Sequence, residues 1–380
     1  MRVLLFEPRS EGHHVPWAGM IARSLLDSGA TVVLAHGEDP TQLERLESGH
    51  PGLLERLQLH PTRRQGRFDG GSALAALAEA DRTHRPDRVL VANLDEFAAG
   101  MLRRAALGIR PPMNLHGRLR GIYIRPRPLD PEERGFQNGW KRLGYRRLAA
   151  SGFFEKLGLL DEDLVLPERN LSHGVKLIWM PDFWTPMPTV DRRSARRSLG
   201  VPEDRCALLF FGVPHHRKGL DLAARAMHSQ DPGRAFLLVA GNQRDEPDLR
   251  RELLRLTEDG RAVIHDRYFN ETEMAEAFEA SDRVLLPYRS HYGSSGVLSH
   301  AASRGRPVIA SDHHLLGRRV RREGLGVVHR DGDAASLATA IRSSVEATSE
   351  QCEAWREGLS RWASRTTPKK FSEAIQRLVE

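Results

Sequence analysis

Short apolar runs alternate with amphipathic stretches along most of the chain. Arg2–Phe6 is a continuous apolar run of strand length, Val15–Asp27 carries apolar residues at helical spacing, and Thr31–Ala35 is again apolar. The alternation continues with a helix at Ser72–Ala80 and a strand at Arg88–Val91, then a helix at Phe97–Ala106 and a strand at Met113–Leu115. It breaks at "MPDFWTPMPTVD", where Pro181, Pro186 and Pro188 cannot continue a regular element. It restarts with strands at Ala207–Phe211, Ala235–Ala240, Arg261–His265 and Arg283–Leu286. Between and after them come helices at Leu220–Met227, Asp248–Leu256, Glu271–Ala280 and Val297–Ser303, and an apolar strand at Val308–Ala310. Alternating strands and helices imply parallel sheets, and the restart implies two of them. The expected domains are 1–180 and 181–350, with 351–380 forming two helices that return to the first domain around a bend at Thr366-Thr367-Pro368. Ligands of open α/β sheets sit beyond the C-terminal strand ends, so two such sheets facing each other would make a cleft.

A length of 380 residues favours two cores over one. Forty per cent hydrophobic and 28% charged residues is the balance of a soluble globular protein. No apolar run reaches the ~18 residues of a membrane span, and the start lacks a signal-peptide pattern. The two cysteines, Cys206 and Cys352, stand outside any CxxC pattern, so no disulfide framework and a cytoplasmic setting are expected. The net charge of +7 points to acidic partners. That basicity is local, because nine basic residues face three acidic ones between Gly117 and Arg147. Interleaved with Ile122, Tyr123, Trp140 and Leu143, they suit peripheral contact with an anionic membrane, and equally an ordinary amphipathic helix.

Three strand-to-loop junctions carry candidate chemistry. The first is "FEPRSEGHHVPW", with Gly12, His13 and His14 ahead of a helix. The second is "FFGVPHHRKGL", where Gly212 ends a strand and Arg217, Lys218 and Gly219 precede a helix. The third is "HYGSSGVLSHAASRGRPVIAS", a glycine-serine bend feeding a helix. Amides at a helix start favour anions, so Gly12, Ser294, Ser295, Gly296 and Val297 with Lys218 and Arg217 are read as holding a diphosphate without a metal. A Gly-Ser bend also caps ordinary helices, and a lysine before a helix is often only solvated. No HExxH, paired-cysteine or carboxylate cluster suggests a metal, and none is expected. Tyr268 and Phe269 suit either flanking a nucleoside base or core packing.

At these residues the second half resembles glycosyltransferase family 4 (glycosyl transferases group 1) of the GT-B fold. The resemblance rests on Gly212 with Lys218-Gly219 six residues on, on "SDRVLLPYRS", and on "YGSSGVLSHAASRGRPV" with Gly293, Ala301, Gly305, Pro307 and Val308 in place. "GLGVVHRDGDAASLATAI" resembles the family's closing segment, and the match covers about residues 175–347. The resemblance implies an α/β GT-B protein of two Rossmann-like domains facing each other across a cleft. It implies transfer of a sugar from a nucleotide-diphosphate donor to an acceptor hydroxyl with retention, as in glycan, polysaccharide or glycolipid synthesis. The second domain would bind the donor through Gly212, Lys218 and the bend, and the first would take the acceptor near His13 and His14, with His116 positioning the reacting sugar. The family's two motif glutamates, which contact donor sugar and ribose, are Tyr292 and His300 here, and its usual arginine after the strand-ending glycine is Val213. A catalytically degenerate binding protein of the same fold is therefore the alternative. A dinucleotide-dependent dehydrogenase is disfavoured because no GxGxxG follows the first strand. No motif supports a nucleic-acid partner.

Overall fold

The computed structural model describes residues 1–380 except 11–13, 63–69, 168–172, 214 and 243–246. The chain divides into two compact units, Met1–Pro181 with Lys369–Glu380, and Asp182–Pro368.

The first unit contains β1 (Arg2–Glu7), α1 (His14–Asp27), β2 (Thr31–His36), α2 (Pro40–Gly49), β3 (Gln58–Pro61) and α3 (Gly70–His84). It continues with β4 (Arg88–Val91), α4 (Asp95–Ala106), β5 (Leu119–Tyr123), α5 (Phe136–Ala150), β6 (Phe154–Leu159) and β7 (Lys176–Trp179). The strands form a parallel sheet in the order β3-β2-β1-β4-β5-β6-β7. Val3, Leu4, Leu5 and Phe6 are wholly buried, as an apolar run covered by helices on both faces requires.

The second unit contains α6 (Arg192–Leu199), β8 (Cys206–Phe211), α7 (Leu220–Met227), β9 (Ala235–Ala240), α8 (Pro247–Glu258) and β10 (Ala262–His265). After α9 (Glu271–Ala280) come β11 (Arg283–Leu286), α10 (Gly296–Ser303), β12 (Val308–Ser311), α11 (His314–Glu323), β13 (Gly326–His329) and α12 (Ala334–Val345). Its parallel sheet runs β10-β9-β8-β11-β12-β13. Local signals set the ends of these helices. Asn270 and Glu273 close a capping box at the start of α9, and Asp191 caps α6 through the amide of Ser194.

Two helices finish the chain, α13 (Ser349–Arg365) and α14 (Pro368–Val379). Helix α13 stays with the second unit and buries Leu359 and Trp362. From Lys369 onward the chain joins the first unit, so the crossing falls at 368–369 and not at 351. There the Phe371 ring lies 5.0 Å from that of Trp17, and the Lys156 ammonium donates to the carbonyl of Arg377 at 2.9 Å.

Met113–Leu115, expected to be a strand, is a single 3-10 turn, and the strand is β5, four residues further on. Pro111 and Pro112 force the turn. β5 escapes the apolar pattern because Arg120 and Gly121 occupy its middle, with Arg120 fully buried and paired to Glu155.

Candidate functional site

In the second sheet, β8 has β9 on one side and β11 on the other, so the loops leaving β8 and β11 diverge. A crevice at such a switch point is where open α/β sheets bind ligands. The loop after β8 turns at Gly212, whose φ of +104° is rarely available to other residues. A 3-10 turn, His216–Lys218, follows and ends on Gly219 with φ +73°. A Cβ at Gly219 would stand 2.0 Å from the carbonyl oxygen of Pro287, so only glycine lets this turn press against the loop after β11. The two loops are also stitched by hydrogen bonds. The amide of Arg289 donates to the carbonyl of Arg217 at 2.7 Å, and its guanidinium donates to the carbonyl of His216 at 2.8 Å. The same guanidinium is paired with Asp221. Burial pushes the Asp221 carboxyl up, but Arg289 and Arg225 outweigh it and hold the group below the ordinary aspartate range.

This framework positions Lys218 at the C-terminal end of β8. Its ammonium sits over Gly212 and 5.7 Å from the centre of the Tyr288 ring. The Tyr288 hydroxyl lies 3.3 Å from Oγ of Ser295, which caps α10 through the amide of Leu298. Gly212, Lys218, Tyr288, Ser295 and the start of α10 thus form one continuous line. Neither Lys218 nor Arg217 pairs with a carboxylate among the described residues. The amides of Gly296 and Val297 occupy the first turn of α10, where no intrahelical acceptor exists. A Cβ at Gly296 would meet no atom within 4 Å. A lysine without a carboxylate partner among the described residues, in line with the first turn of a helix, has the chemistry that suits an anion.

The serines behave differently from their amides. Oγ of Ser294 accepts from the buried guanidinium of Arg319 and is hydrogen-bonded to Asp182, while Ser299 Oγ donates to the Asp182 carbonyl. Burial raises the Asp182 carboxyl above its usual range, partly offset by Ser294 and by the charge of Arg319. The Arg319 guanidinium lies 5.0 Å over the Trp362 ring. Ser294 therefore anchors the bend from within. Sequence reading missed Asp182, although it lies inside the quoted "MPDFWTPMPTVD", and Arg319, which lies outside every quoted stretch. Tyr288 and Arg289 lie inside the quoted "SDRVLLPYRS" and could have been singled out.

His300 lies one turn into α10, 6.0 Å from the Phe278 ring, and its buried Nδ1 has no partner among the described residues. Burial, aided by the charge of Arg304, pushes its pKa down to about 4. Tyr292 is buried, its ring 5.1 Å from that of His314. Phe269 packs inside the unit against Phe211 and His265, whereas Tyr268 is 82% exposed. Phe269 is thus a packing residue. Gly12 and His13 lie outside the described residues.

In the first unit, the sequence placed His116 after a strand. It instead precedes β5, at the edge of the sheet opposite the strands' C-terminal ends, with Nδ1 3.3 Å from the carbonyl of Ser151. His14 does reach the C-terminal edge. Its Nδ1 lies 3.1 Å from Glu7 at the end of β1, and its Nε2 3.8 Å from Glu96 in α4. Burial raises the Glu7 carboxyl, partly offset by its hydrogen bond to His14.

The basic stretch 117–147 is mostly spoken for. Arg118 pairs with Asp81, Arg120 with Glu155, Arg125 with Asp95 and Arg127 with Glu133. Arg142 donates to the carbonyls of Pro128 and Glu133, and Arg147 to that of Ala106. Arg134, Lys141 and Arg146 remain without a carboxylate among the described residues.

Comparison with known proteins bears on this site. Residues 205–347 match the model of glycosyl transferases group 1. The chain resembles the Anabaena protein Alr3699/HepE, solved in complex with UDP, at a TM-score of 0.70 over 99% of both chains with 16% identity. It also resembles WaaG, a glycosyltransferase involved in lipopolysaccharide biosynthesis, at a TM-score of 0.64 over 99% of both chains with 17% identity. The chain has the GT-B glycosyltransferase fold. Its second unit carries the glycosyl transferases group 1 match, and Gly212, Lys218, Tyr288 and α10 lie within it. D-inositol 3-phosphate glycosyltransferase of Geodermatophilus obscurus is 33% identical over 213 residues, which are 52% of this chain and 45% of that protein. The corresponding protein 1 of Catenulispora acidiphila is 31% identical over 170 residues, 41% of this chain and 40% of that protein. The matched stretch thus spans under half the length of these relatives.

Proposed function

We propose that this GT-B chain transfers a sugar from a nucleotide-diphosphate donor to an acceptor hydroxyl, with retention of configuration, and that the second unit binds the donor. The observation that carries the reading is the ammonium of Lys218, without a carboxylate partner among the described residues and held between Gly212 and the Tyr288 ring at the switch point. As the bond between sugar and diphosphate breaks, negative charge grows on the departing diphosphate. In this reading Lys218, with Arg217 beside it in sequence, and the amides of Gly296 and Val297 would stabilise that charge by preorganised electrostatics. Charge-assisted hydrogen bonds of this kind contribute about 1.5–3 kcal/mol each. No step calls for a metal. The UDP and UDP-glucose complexes of Alr3699/HepE support a uridine diphosphate donor, and the names of the curated relatives support a phosphorylated polyol as acceptor. The first unit would take the acceptor, and His14 is its candidate contact; His116 is given no role. Peripheral contact with an anionic membrane belongs to the same reading. No helix among the described residues is long and apolar enough to cross a bilayer.

A thermal-shift series with UDP, GDP, ADP and their glucose conjugates tests the donor assignment, because a ligand of the folded state raises apparent stability by mass action. Nuclear magnetic resonance of the product anomer tests retention. The second reading, a binding protein without catalysis, is favoured by Tyr292 and His300 standing where the family has glutamates. Donor hydrolysis above the uncatalysed rate would rule it out.

A further inference from the structure

Four non-glycine residues among those described take a φ in the left-handed region, Arg85, His173, Ser290 and His314. Two of the four stand at the C-terminal edge of the second sheet, Ser290 in the loop after β11 and His314 at the start of α11. Tyr292, two residues beyond Ser290, places its ring 5.1 Å from that of His314. A serine at φ +46° stays there only where its surroundings hold it, and strain held in this way gathers at functional sites.

Asp331 supplies the hold. It follows β13, two strands from β11 in the sheet, and reaches past the end of β12. Both of its carboxylate oxygens accept from the amide of Ser290, at 3.2 and 3.0 Å. Oδ1 also accepts from the hydroxyl of Ser311 at 3.2 Å, and Oδ2 lies 3.7 Å from Nδ1 of His313. The loop that carries Asp331 is itself fixed, because the Asp331 amide donates to Oδ1 of Asp312 at 3.0 Å and the Arg330 amide to Oγ of Ser336 at 2.9 Å. Immediately before Ser290, Arg289 is tied to Asp221 and to the carbonyls of His216 and Arg217. Four residues after it, Ser294 is held by Arg319 and Asp182. Arg289 and Ser294 thus have anchors on other elements, and Ser290 is where the chain turns from one anchor toward the other.

We propose that Asp331 is a positioning residue for the donor: by holding Ser290 left-handed it fixes the path of the bend and, through it, the direction of the Gly296 and Val297 amides. The inference rests on the donor reading above for its effect on binding, whereas the path of the bend can be measured without any ligand. Loss of the carboxylate frees Ser290 to relax toward a negative φ, and the first turn of α10 then loses its fixed approach. Contacts that must act together on one ligand are sensitive to such a displacement.

The test uses the full chain, with UDP and uridine as calorimetric probes. Alongside them, hydrogen exchange is followed in the ligand-free protein at the amides of Leu298 and Ser299, which bond to the carbonyl of Ser295. Asp331→Ala should weaken UDP about tenfold while uridine stays within about twofold, and it should speed exchange at both amides. Ser290→Val should do the same from the other partner, because a β-branched residue resists a positive φ. Asp331→Asn, which keeps one acceptor oxygen, should fall between Asp331→Ala and the parent. Glycine adopts the left-handed region without a hold, so Ser290→Gly added to Asp331→Ala should recover UDP affinity by about threefold. A role in stability alone would lower the denaturation midpoint and leave both the ratio of UDP to uridine affinity and the exchange at Leu298 and Ser299 as in the parent. That result overturns the proposal, and so does a double variant no better than Asp331→Ala. If Asp331→Ala does not fold, Asp331→Asn and Ser290→Val carry the test. A parent that binds UDP no better than uridine speaks against the donor reading, and exchange at Leu298 and Ser299 then decides the role of Asp331 by itself.

Discussion

The ammonium nitrogen of Lys218 lies 2.9 Å from the point where a Cβ on Gly212 would stand. One residue fixes the turn and the other occupies the space that the missing side chain leaves. Gly212→Ala should therefore act twice. The φ of +104° should cost about 1–3 kcal/mol of stability, and the displaced lysine should lose diphosphate affinity. Chemical denaturation and UDP calorimetry on the same preparation check this. A stable variant with full UDP affinity would separate Lys218 from the site.

His300 gives a pH signature. The unfolded imidazole takes its proton near ~6.5, the folded one only near about 4. Between those values the unfolded chain binds more protons, so the contribution is complete above the window and falls as pH drops through it. The loss should reach about 3 kcal/mol relative to His300→Gln, read from urea unfolding at a series of pH values. A solvated histidine one turn beyond the bend would weaken donor binding as it gained a proton near its ordinary pKa. Burial moves that event, so between pH 7 and pH 5 His300→Gln and the parent should show the same pH dependence of donor affinity.

Asp182, Ser294 and Arg319 should behave as one unit. Arg319→Met should raise the Asp182 carboxyl further, by removing the charge that now offsets burial. A double-mutant cycle of Arg319→Met with Asp182→Asn should show a coupling of about 1–3 kcal/mol. Strict additivity would mean that the two groups meet only incidentally.

Phe371 ties the chain's end to the first unit. Its side chain is fully buried, so Phe371→Ala should cost about 3–5 kcal/mol. Hydrogen exchange should locate the loss in the first unit, around Trp17 and β6. Loss confined to the second unit would contradict the crossing at 368–369.

Legibility in the sequence followed the range of the forces involved. Gly212, Lys218 and Gly219 were readable because a strand end, a turn and a helix start are local events with local residue preferences. α7, β9, α9 and β11 match their expected bounds residue for residue, since their apolar periods are uninterrupted. His116 was misplaced because β5 hides a buried Arg120 that only Glu155, a partner on the neighbouring strand, makes tolerable. The meeting of Arg319 and Asp182 under the bend left no signal, since it depends on packing between segments more than a hundred residues apart. The basic stretch misled for a related reason. Carbonyl and carboxylate partners absorb Arg118, Arg120 and Arg142, and no composition count can show that.

The most direct test of the account is the affinity of Lys218→Ala for UDP and for uridine, measured side by side by calorimetry. The account expects UDP affinity to fall about tenfold or more, the loss of one charge-assisted contact, while uridine affinity stays unchanged. Equal loss for both ligands, or a parent that binds UDP no better than uridine, would contradict it.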